Sequence, residues 1–332
     1  MQIPSRLKKR KVRNFSLSST FLNMFSGQQP AWGPVGYFTF KRTYARELKD
    51  GSTEEFWQTC KRVVEGVYNV QKRHCKHIGL PWDDRKAQSS AQEMYLRMWQ
   101  FKFLPPGRGL WTMGTEIILK KGGAALNNCG FVTTANIDID FADPFCFLMD
   151  MSMLGVGVGS DTRGAGKVTI VQPKVGGTFV VEDSREGWSD ILQVVLYAHV
   201  GIGTLPRVID YSNIREEGSA IKGFGGVASG PEPLKRMIDQ IINLLDVDRP
   251  TPITSSMIVD IHNMVGACVV AGGVRRTAEI MFGEVDDSDF RDLKDPSSLN
   301  AWNSELKSIE NSQNNQGNSD DPEVIKLRQR IE

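Results

Sequence analysis

Apolar residues recur every three or four positions in several segments of the chain, which is the spacing of a helix that buries one face. Ser52 and Glu55 have the spacing of a capping box, and apolar positions then follow at helical intervals from Phe56 to Tyr68. A second helical pattern extends from Ala91 to Phe101. We therefore expect the first hundred residues to be largely helical after an N-terminal tail.

Between about residues 102 and 285, short apolar runs alternate with helical stretches and glycine-rich loops. This alternation is typical of an α/β fold. Helices are predicted to begin near Asp143, Ser184, Pro231 and Ser255, the first of them ending at Gly155. Thr277 to Phe282 is predicted to be a strand, so the segment AGGVRR before it is expected to be a helix-to-strand loop.

Length and composition set the expected organisation. The 332 residues and the hydrophobic content of 40% allow one large or two smaller domains. We expect a basic and polar tail over residues 1–37, a helical region over 38–101, an α/β region over 102–285 and a polar linker over 286–332. The basic run from Arg6 to Arg13 is interpreted as a solvated part of the tail.

Several classes of function are disfavoured. The net charge of +1 makes no case for a nucleic-acid partner. No apolar run is long enough for a membrane span and no signal peptide is recognisable, so a cytoplasmic protein without a membrane partner is expected. Five cysteines without a CxxC pair argue against a disulfide framework and a zinc site, and we expect no metal.

Three glycine-rich blocks carry the candidate chemistry: LPPGRGLW at 104–111, IKGFGGVASGPEPL at 221–234 and VVAGGVRRTAE at 269–279. Glycine lets backbone amides approach a phosphate or a ribose closely, and neighbouring arginines can neutralise the charge. The arginines also have structural interpretations, as a salt bridge for Arg108 and as helix-dipole partners for Arg275 and Arg276. The segment SDTRGAGKV fails as a Walker A loop at Asp161 and Val168.

Cys129, in the segment ALNNCGF, stands apart from the other cysteines. Taken alone, an isolated cysteine near a strand is ordinarily a small buried hydrophobe. Cys60, Cys146 and Cys268 lie on apolar helix faces and are expected in the core, whereas Cys75 receives no role. The four histidines are interpreted as surface or packing residues.

Seven blocks in one order resemble the adenosylcobalamin-dependent (class II) ribonucleoside-triphosphate reductases. The blocks are FKRTYARELKDGSTEEFWQTCKRVVEGVYN, PPGRGLWTMGTE, ALNNCGFV, FLMDMSMLGVGVG, EDSREGW, DYSNIREEGSAIKGFGGVASGPEPL and VVAGGVRRTAEI with DDSDFRDLK after it. The resemblance extends from about residue 38 to 295. It implies an N-terminal helical region followed by the first half of a ten-stranded α/β barrel, incomplete in this chain.

The resemblance also implies site residues. Cys129 corresponds to a redox thiol of the first barrel strand, and Asn128 before it to a substrate contact. Gly107 and Arg108 are expected on the substrate side, with Arg108 near the phosphates. The loop formed by Ala271, Gly272, Gly273, Val274, Arg275 and Arg276 resembles the family's specificity loop, which senses a deoxynucleoside triphosphate effector. Residues 210–229 resemble a region near that effector.

The implied reaction is the thiyl-radical reduction of ribonucleoside triphosphates to deoxyribonucleoside triphosphates with adenosylcobalamin, reset by a thioredoxin-like reductant. The radical cysteine and most cobalamin contacts belong to a second barrel half that this chain lacks. We therefore expect no turnover without that C-terminal half as a separate chain. Two alternatives stay open: a fragment that binds nucleotides without catalysis, and part of a class I large subunit, although the TYARELKDGSTEEFW and IKGFGGVASGPEPL blocks favour the cobalamin type.

Overall fold

The computed structural model of the protein describes residues 14–219, 227–270 and 278–295. The chain forms two compact units, residues 1–127 and 128–332. The division lies later than the boundary at 101/102 that the sequence suggested. The reason is local: the glycine-rich segment after residue 102 continues as short helices that pack with the N-terminal unit.

Within its described residues the first unit is helical, as predicted. Its helices are α1 (Ser19–Leu22), α2 (Pro34–Thr43), α3 (Phe56–His77), α4 (Asp84–Trp99), α5 (Gly107–Thr112) and α6 (Glu116–Lys121), followed by a 3-10 turn at Gly122–Leu126. The capping box proposed for Ser52 and Glu55 is wrong. Glu55 is itself the N-cap of α3 and pairs with Gln58, whereas Ser52 hydrogen-bonds Asp50 in the preceding turn.

The tail predicted over residues 1–37 is wrong from residue 14 onward. Phe15 and Leu17 are buried in the core of the first unit, because an extended segment places alternate side chains on the same side. Asn69 pairs with both the N–H and the carbonyl of Phe15, at 2.8 and 3.0 Å. Glu65 accepts the N–H of Leu17 at 3.0 Å. Side chains of α3 thus hold this segment through its backbone.

The second unit is α/β, which confirms the predicted fold class. Its strands are β1 (Cys129–Phe131), β2 (Gly157–Asp161), β3 (Thr169–Ile170), β4 (Thr178–Val180), β5 (Val208–Asp210), β6 (Thr251–Pro252) and β7 (Glu279–Phe282). Its helices are α7 (Asp143–Met153), α8 (Arg185–Ala198), α9 (Glu232–Leu245), α10 (Ser255–Val270) and α11 (Ser288–Arg291), the last followed by a 3-10 turn at Asp292–Lys294.

The principal sheet of the described residues has the order β1-β2-β7, with both pairs parallel. Two smaller sheets pair β4 with β5 in parallel and β3 with β6 antiparallel. Helices α7 and α10 pack against one face of the principal sheet, and α8 and α9 extend the same apolar core. Within the described residues, this one-sided packing leaves the other face of the sheet open.

The local signals for the helices of this unit were accurate. Ser184 caps α8 and accepts the N–H of Gly187, and Pro231 precedes the first residue of α9. Helix α7 ends where Gly155 takes the left-handed conformation that glycine favours, with φ of 72°. In the part of the chain that the structure describes, no helix combines the length and the apolarity needed to cross a bilayer.

Candidate active site

Cys129 is the first residue of β1, and its side chain is exposed. In the parallel register it lies beside Gly157 of the central strand β2. The carbonyl of Asn128 accepts the N–H of Gly157 at 2.9 Å, which fixes the point where the chain enters the sheet. Because Gly157 has no side chain, no neighbouring side chain on the central strand covers the Cys129 thiol.

A second glycine on the same face of the central strand, Gly159, is buried beneath the side chains of the outer strands. A Cβ added to Gly159 would lie 2.8 Å from Cδ2 of Phe131 and 3.2 Å from Cγ2 of Ile280. The first distance is shorter than real Cβ contacts allow, so a larger residue at this position would require the Phe131 ring to shift. The central strand thus has no side chain on this face at Gly157 and Gly159, and the side chains of the outer strands cover Gly159.

The open face of the sheet is apolar. Phe131, Ile280 and Phe282 on this face are 54%, 56% and 53% exposed. The rings of Phe131 and Phe282 approach across the central strand, with centroids 6.1 Å apart. Parallel sheets are ordinarily covered on both faces. Cys129 thus lies on an apolar surface of the kind that proteins bury.

Burial separates the thiols into two groups. It raises the pKa of Cys60, and it raises the pKa of Cys146 and of Cys268 to about 12 each. A thiol with so high a pKa does not form the reactive thiolate at neutral pH. Cys60 and Cys268 are buried as predicted, and Cys146 is half-buried with its Sγ 3.7 Å from the carbonyl of Ser189. Cys129 is the exposed one of the five.

At the carboxyl end of β2, Asp161 holds two loops together. It accepts hydrogen bonds from the Thr133 hydroxyl at 2.7 Å and from the N–H and hydroxyl of Thr134 at 2.8 and 2.9 Å. Burial pushes the pKa of Asp161 up, but these bonds outweigh it and hold the pKa below its ordinary value. This network was missed in the sequence, where SDTRGAGKV was tested only as a phosphate loop.

Gly107 and Arg108 belong to the N-terminal unit, at the start of α5. The Tyr44 ring lies against Gly107. A Cβ added to Gly107 would be 3.0 Å from Cε1 of the ring. Arg108 is half-buried, and its carbonyl accepts the Thr112 hydroxyl at 2.8 Å. Their assignment to the substrate side stays a prediction.

The specificity loop predicted at residues 271–276 lies outside the described residues, but both of its flanks are described. Helix α10 precedes it and β7 follows it. Glu279, the first residue of β7, faces α10: a Cβ added to Gly266 would lie 2.0 Å from its Oε1 atom. Among the residues that the structure describes, that Oε1 atom has no hydrogen-bond partner although it is buried, and burial raises the pKa of Glu279 to about 7.

Residues 210–229, predicted to lie near the effector, are described up to Ser219 and from Val227. Arg215 forms an ion pair with Asp183 at 2.7 Å. The backbones of Gly218 and Ser219 pair with Ala228 at 2.9 and 2.8 Å, which closes the base of the loop between them. The GFGGVA part of the glycine-rich block at 221–234 lies mostly outside the described residues.

The two histidines of the second unit are packing residues. His199 and His262 are each 1% exposed, and burial lowers the pKa of both, that of His262 to about 4. Their Nδ1 atoms lie 2.8 Å from the carbonyls of Val195 and Ile258, one turn earlier in the same helices. Over the described ranges, no group of three or more His, Cys, Asp and Glu side chains is arranged to hold a metal ion.

Comparison with known proteins places two domain families on the chain. The ribonucleotide reductase alpha domain matches residues 17–115, and the insertion domain of B12-dependent ribonucleotide reductase matches residues 164–245. The chain is also similar to a crystal structure of a B12-dependent (class II) ribonucleotide reductase, with a TM-score of 0.71 and 28% identity. That match covers 86% of this chain and 47% of the other.

Several relatives are named as reductases of the same cobalamin-dependent kind. The chain is 42% identical over 307 residues to a probable adenosylcobalamin-dependent ribonucleoside-triphosphate reductase of Dictyostelium discoideum, covering 86% of this chain and 40% of the relative. It is 44% identical over 292 residues to the Euglena gracilis reductase, covering 85% and 40%. Against the Lactobacillus leichmannii reductase it is 31% identical over 334 residues, covering 84% and 45%. The chain thus spans less than half the length of these relatives.

Proposed function

Because the chain belongs to the adenosylcobalamin-dependent ribonucleotide reductases, we propose that it forms the part of such an enzyme that carries the first redox thiol and the substrate and effector loops. The proposed reaction converts ribonucleoside triphosphates to 2′-deoxyribonucleoside triphosphates. The observation that carries this proposal is the exposed thiol of Cys129 on an open, glycine-lined face of a parallel sheet.

Cys129 is proposed to supply reducing equivalents. Replacing the ribose 2′-hydroxyl by hydrogen releases water and consumes two electrons and two protons. A pair of thiols supplies both by forming a disulfide, which a thioredoxin-like protein then reduces. Cys129 suits one member of that pair because its thiol is exposed, while Gly157 beside it carries no side chain that would cover the thiol. The second thiol is assigned to the length of the relatives that this chain does not span.

The described residues do not by themselves fit adenosylcobalamin. A ligand of that size needs walls on more than one side, and the face beside Cys129 is a single wall whose aromatic side chains are about half exposed. When bound, the cofactor supplies the radical that activates the sugar. We therefore place most of its contacts in the remaining length of the enzyme.

The same open face supports a partner for this chain. We propose that the rest of the barrel, within one polypeptide or as a separate chain, covers Phe131, Ile280 and Phe282. A deoxynucleoside triphosphate effector is proposed to bind at residues 271–276, whose flanks α10 and β7 contact each other. The proposed compartment is the cytoplasm.

The two other candidate functions are less well supported. A class I large subunit is disfavoured by the match to the insertion domain of B12-dependent enzymes over residues 164–245. A fragment that only binds nucleotides would have no use for an exposed thiol on the open sheet face, where Cys129 lies.

The test is reconstitution. The chain is co-expressed with the segment that its relatives carry beyond the matched region, and deoxynucleotide formation is measured with adenosylcobalamin and a dithiol. We expect activity that Cys129→Ser abolishes and that Cys75→Ser, a half-buried thiol at the end of α3, retains. Nucleotide binding without reduction in the wild-type complex would refute the proposal. Full activity of Cys129→Ser would refute the role of the thiol.

A further inference from the structure

Arg62 and Glu54 form a bidentate ion pair in the N-terminal unit. The Arg62 Nε atom lies 2.7 Å from Oε1 of Glu54, and Nη2 lies 2.9 Å from Oε2. Both side chains are largely buried, at 14% and 5% exposure. Glu54 also accepts the hydroxyl of Thr59 at 2.8 Å and the N–H of Arg46 at 3.2 Å, so the pair is held in one orientation.

The same guanidinium binds the end of α5. Its Nη2 atom donates to the carbonyl of Leu110 at 2.8 Å, and Nη1 donates to the carbonyl of Met113 at 2.6 Å. Carbonyls at a helix C-terminus have no partner within the helix, and a cation there is favourable. A helix of only six residues is not stable by itself, so its position depends on such external contacts.

Two glycines bring α3 against the turn that follows α5. A Cβ added to Gly66 would lie 2.6 Å from both the Cα and the N atoms of Gly114. Gly114 has a φ of 80°, and a Cβ there would lie 2.3 Å from the carbonyl oxygen of Arg62. The backbones are therefore in direct contact, and α5 has no freedom to move toward α3.

The segment that leads to Glu54 also contacts α5. The Tyr44 ring packs on Gly107, and the Arg46 guanidinium lies 4.4 Å from the centre of the Trp111 ring. The N–H of Glu54 donates to the carbonyl of Arg46 at 2.8 Å, which links this segment to the ion pair. Two sequence blocks that are distant along the chain, TYARELKDGSTEE and PPGRGLWTMG, thus form one structural unit around Arg62.

We infer that Arg62, oriented by Glu54, is a positioning residue that sets where α5 presents Arg108 to the ribonucleoside triphosphate. This inference rests on the proposed function. An ion pair with a purely structural role would need only the Glu54 contact. Arg62 instead directs two further N–H donors to the carbonyls of α5, the helix that carries Arg108.

Arg62→Lys tests the inference, because lysine keeps the charge opposite Glu54 but has no planar fork to span the two carbonyls. Arg97→Lys is the matched control, since Arg97 forms an exposed ion pair with Glu93 on α4. Hydrogen exchange of the α5 amides is measured on the full chain. The KM and kcat for a ribonucleoside triphosphate are measured on the reconstituted reductase.

For Arg62→Lys we expect the amides of Leu110 and Met113 to exchange at least tenfold faster, and KM to rise several-fold while kcat changes less than twofold. Arg97→Lys should alter neither. Unchanged exchange in α5, or faster exchange with an unchanged KM, overturns the inference. A wild-type complex without reductase activity refutes the proposed function, and the inference fails with it.

If Arg62→Lys does not fold, Arg46→Gln provides the second variant, because it removes the contact with Trp111 and leaves the Arg62–Glu54 pair intact. It is expected to raise KM in the same direction by a smaller factor. An Arg46→Gln enzyme with faster exchange in α5 and a wild-type KM would overturn the inference.

Discussion

Replacing Glu279 by glutamine should make the protein more stable, and increasingly so as the pH rises. Glu279 is mostly buried, its Oε1 atom has no hydrogen-bond partner in the described part of the chain, and burial raises its pKa to about 7 from an ordinary value of 4.5. The folded protein therefore holds this proton more tightly than the unfolded chain does. The resulting stability is complete below about pH 4.5 and is lost as the pH rises through about 7.

The size of the effect follows from the pKa difference. Each pKa unit corresponds to about 1.4 kcal/mol, so ionised Glu279 costs the folded state about 3 kcal/mol relative to the unfolded state. Glutamine is nearly isosteric and does not ionise, which removes this cost. The stability advantage of Glu279→Gln is expected to grow by about 2–3 kcal/mol between pH 5 and pH 8.

The assay is urea unfolding of wild type and Glu279→Gln at pH 5 and pH 8, followed by circular dichroism. Hydrogen exchange in α10 and β7 assigns the change to this part of the second unit. Glu284→Gln is the control, because Glu284 is 65% exposed and its substitution should have no comparable pH dependence. A stability difference between Glu279→Gln and wild type that is the same at both pH values would refute the reasoning.

Three further predictions concern burial and packing. In the native chain, iodoacetamide should alkylate Cys129 well before the buried thiols, as peptide mass spectrometry can show. Gly66→Ala should destabilise the first unit by about 1–3 kcal/mol in thermal unfolding, whereas Gly123→Ala, with no atom within 4 Å of the added Cβ, should not. Burial lowers the pKa of His262 to about 4. As the pH falls from 7 to 4, the free energy of unfolding of the wild type should therefore fall by about 3 kcal/mol relative to that of His262→Gln.

Local signals were sufficient to place several helices in the sequence. Ser184 before α8 and Pro231 before α9 act through their own side chains and backbone, so their effect does not depend on distant residues. Ser52 shows where such signals fail. Its hydroxyl has two candidate partners within a few residues, and the turn residue Asp50 binds it, so Glu55 takes over as the cap.

The packed N-terminal segment was not predictable in the same way. Phe15 and Leu17 are buried because Asn69 and Glu65, about fifty positions later, bind the backbone between and beside them. Sequence periodicity over so short a stretch cannot identify such partners. The Arg62 network was missed for the same reason, since its two carbonyl acceptors lie about fifty positions away on α5.

Cys129 was identified as the candidate redox residue by resemblance to a family and not by its local sequence pattern. The structure gives the physical reason why its thiol is exposed. By pattern alone, an isolated cysteine in an apolar segment is expected in the core, and Cys60 on α3 and Cys268 on α10 are buried in this way. Cys129 departs from it because the helices cover only one face of its sheet. Which face a strand residue occupies is set by register and by the position of α7 and α10, neither of which is encoded near residue 129.

The orientation of the side chains on β7 and β1 indicates that the open face belongs in the interior of the protein. On β7, Glu279 faces the helices while Ile280 and Phe282 face the open side, which reverses the usual arrangement for a strand packed on one face. On β1, Gly130 faces the helices and Phe131 the open side. Selection for solubility would not place these apolar side chains outward and a carboxyl inward. A sheet covered on both faces explains the arrangement. Such a covering would also exclude water from the proposed reaction at Cys129.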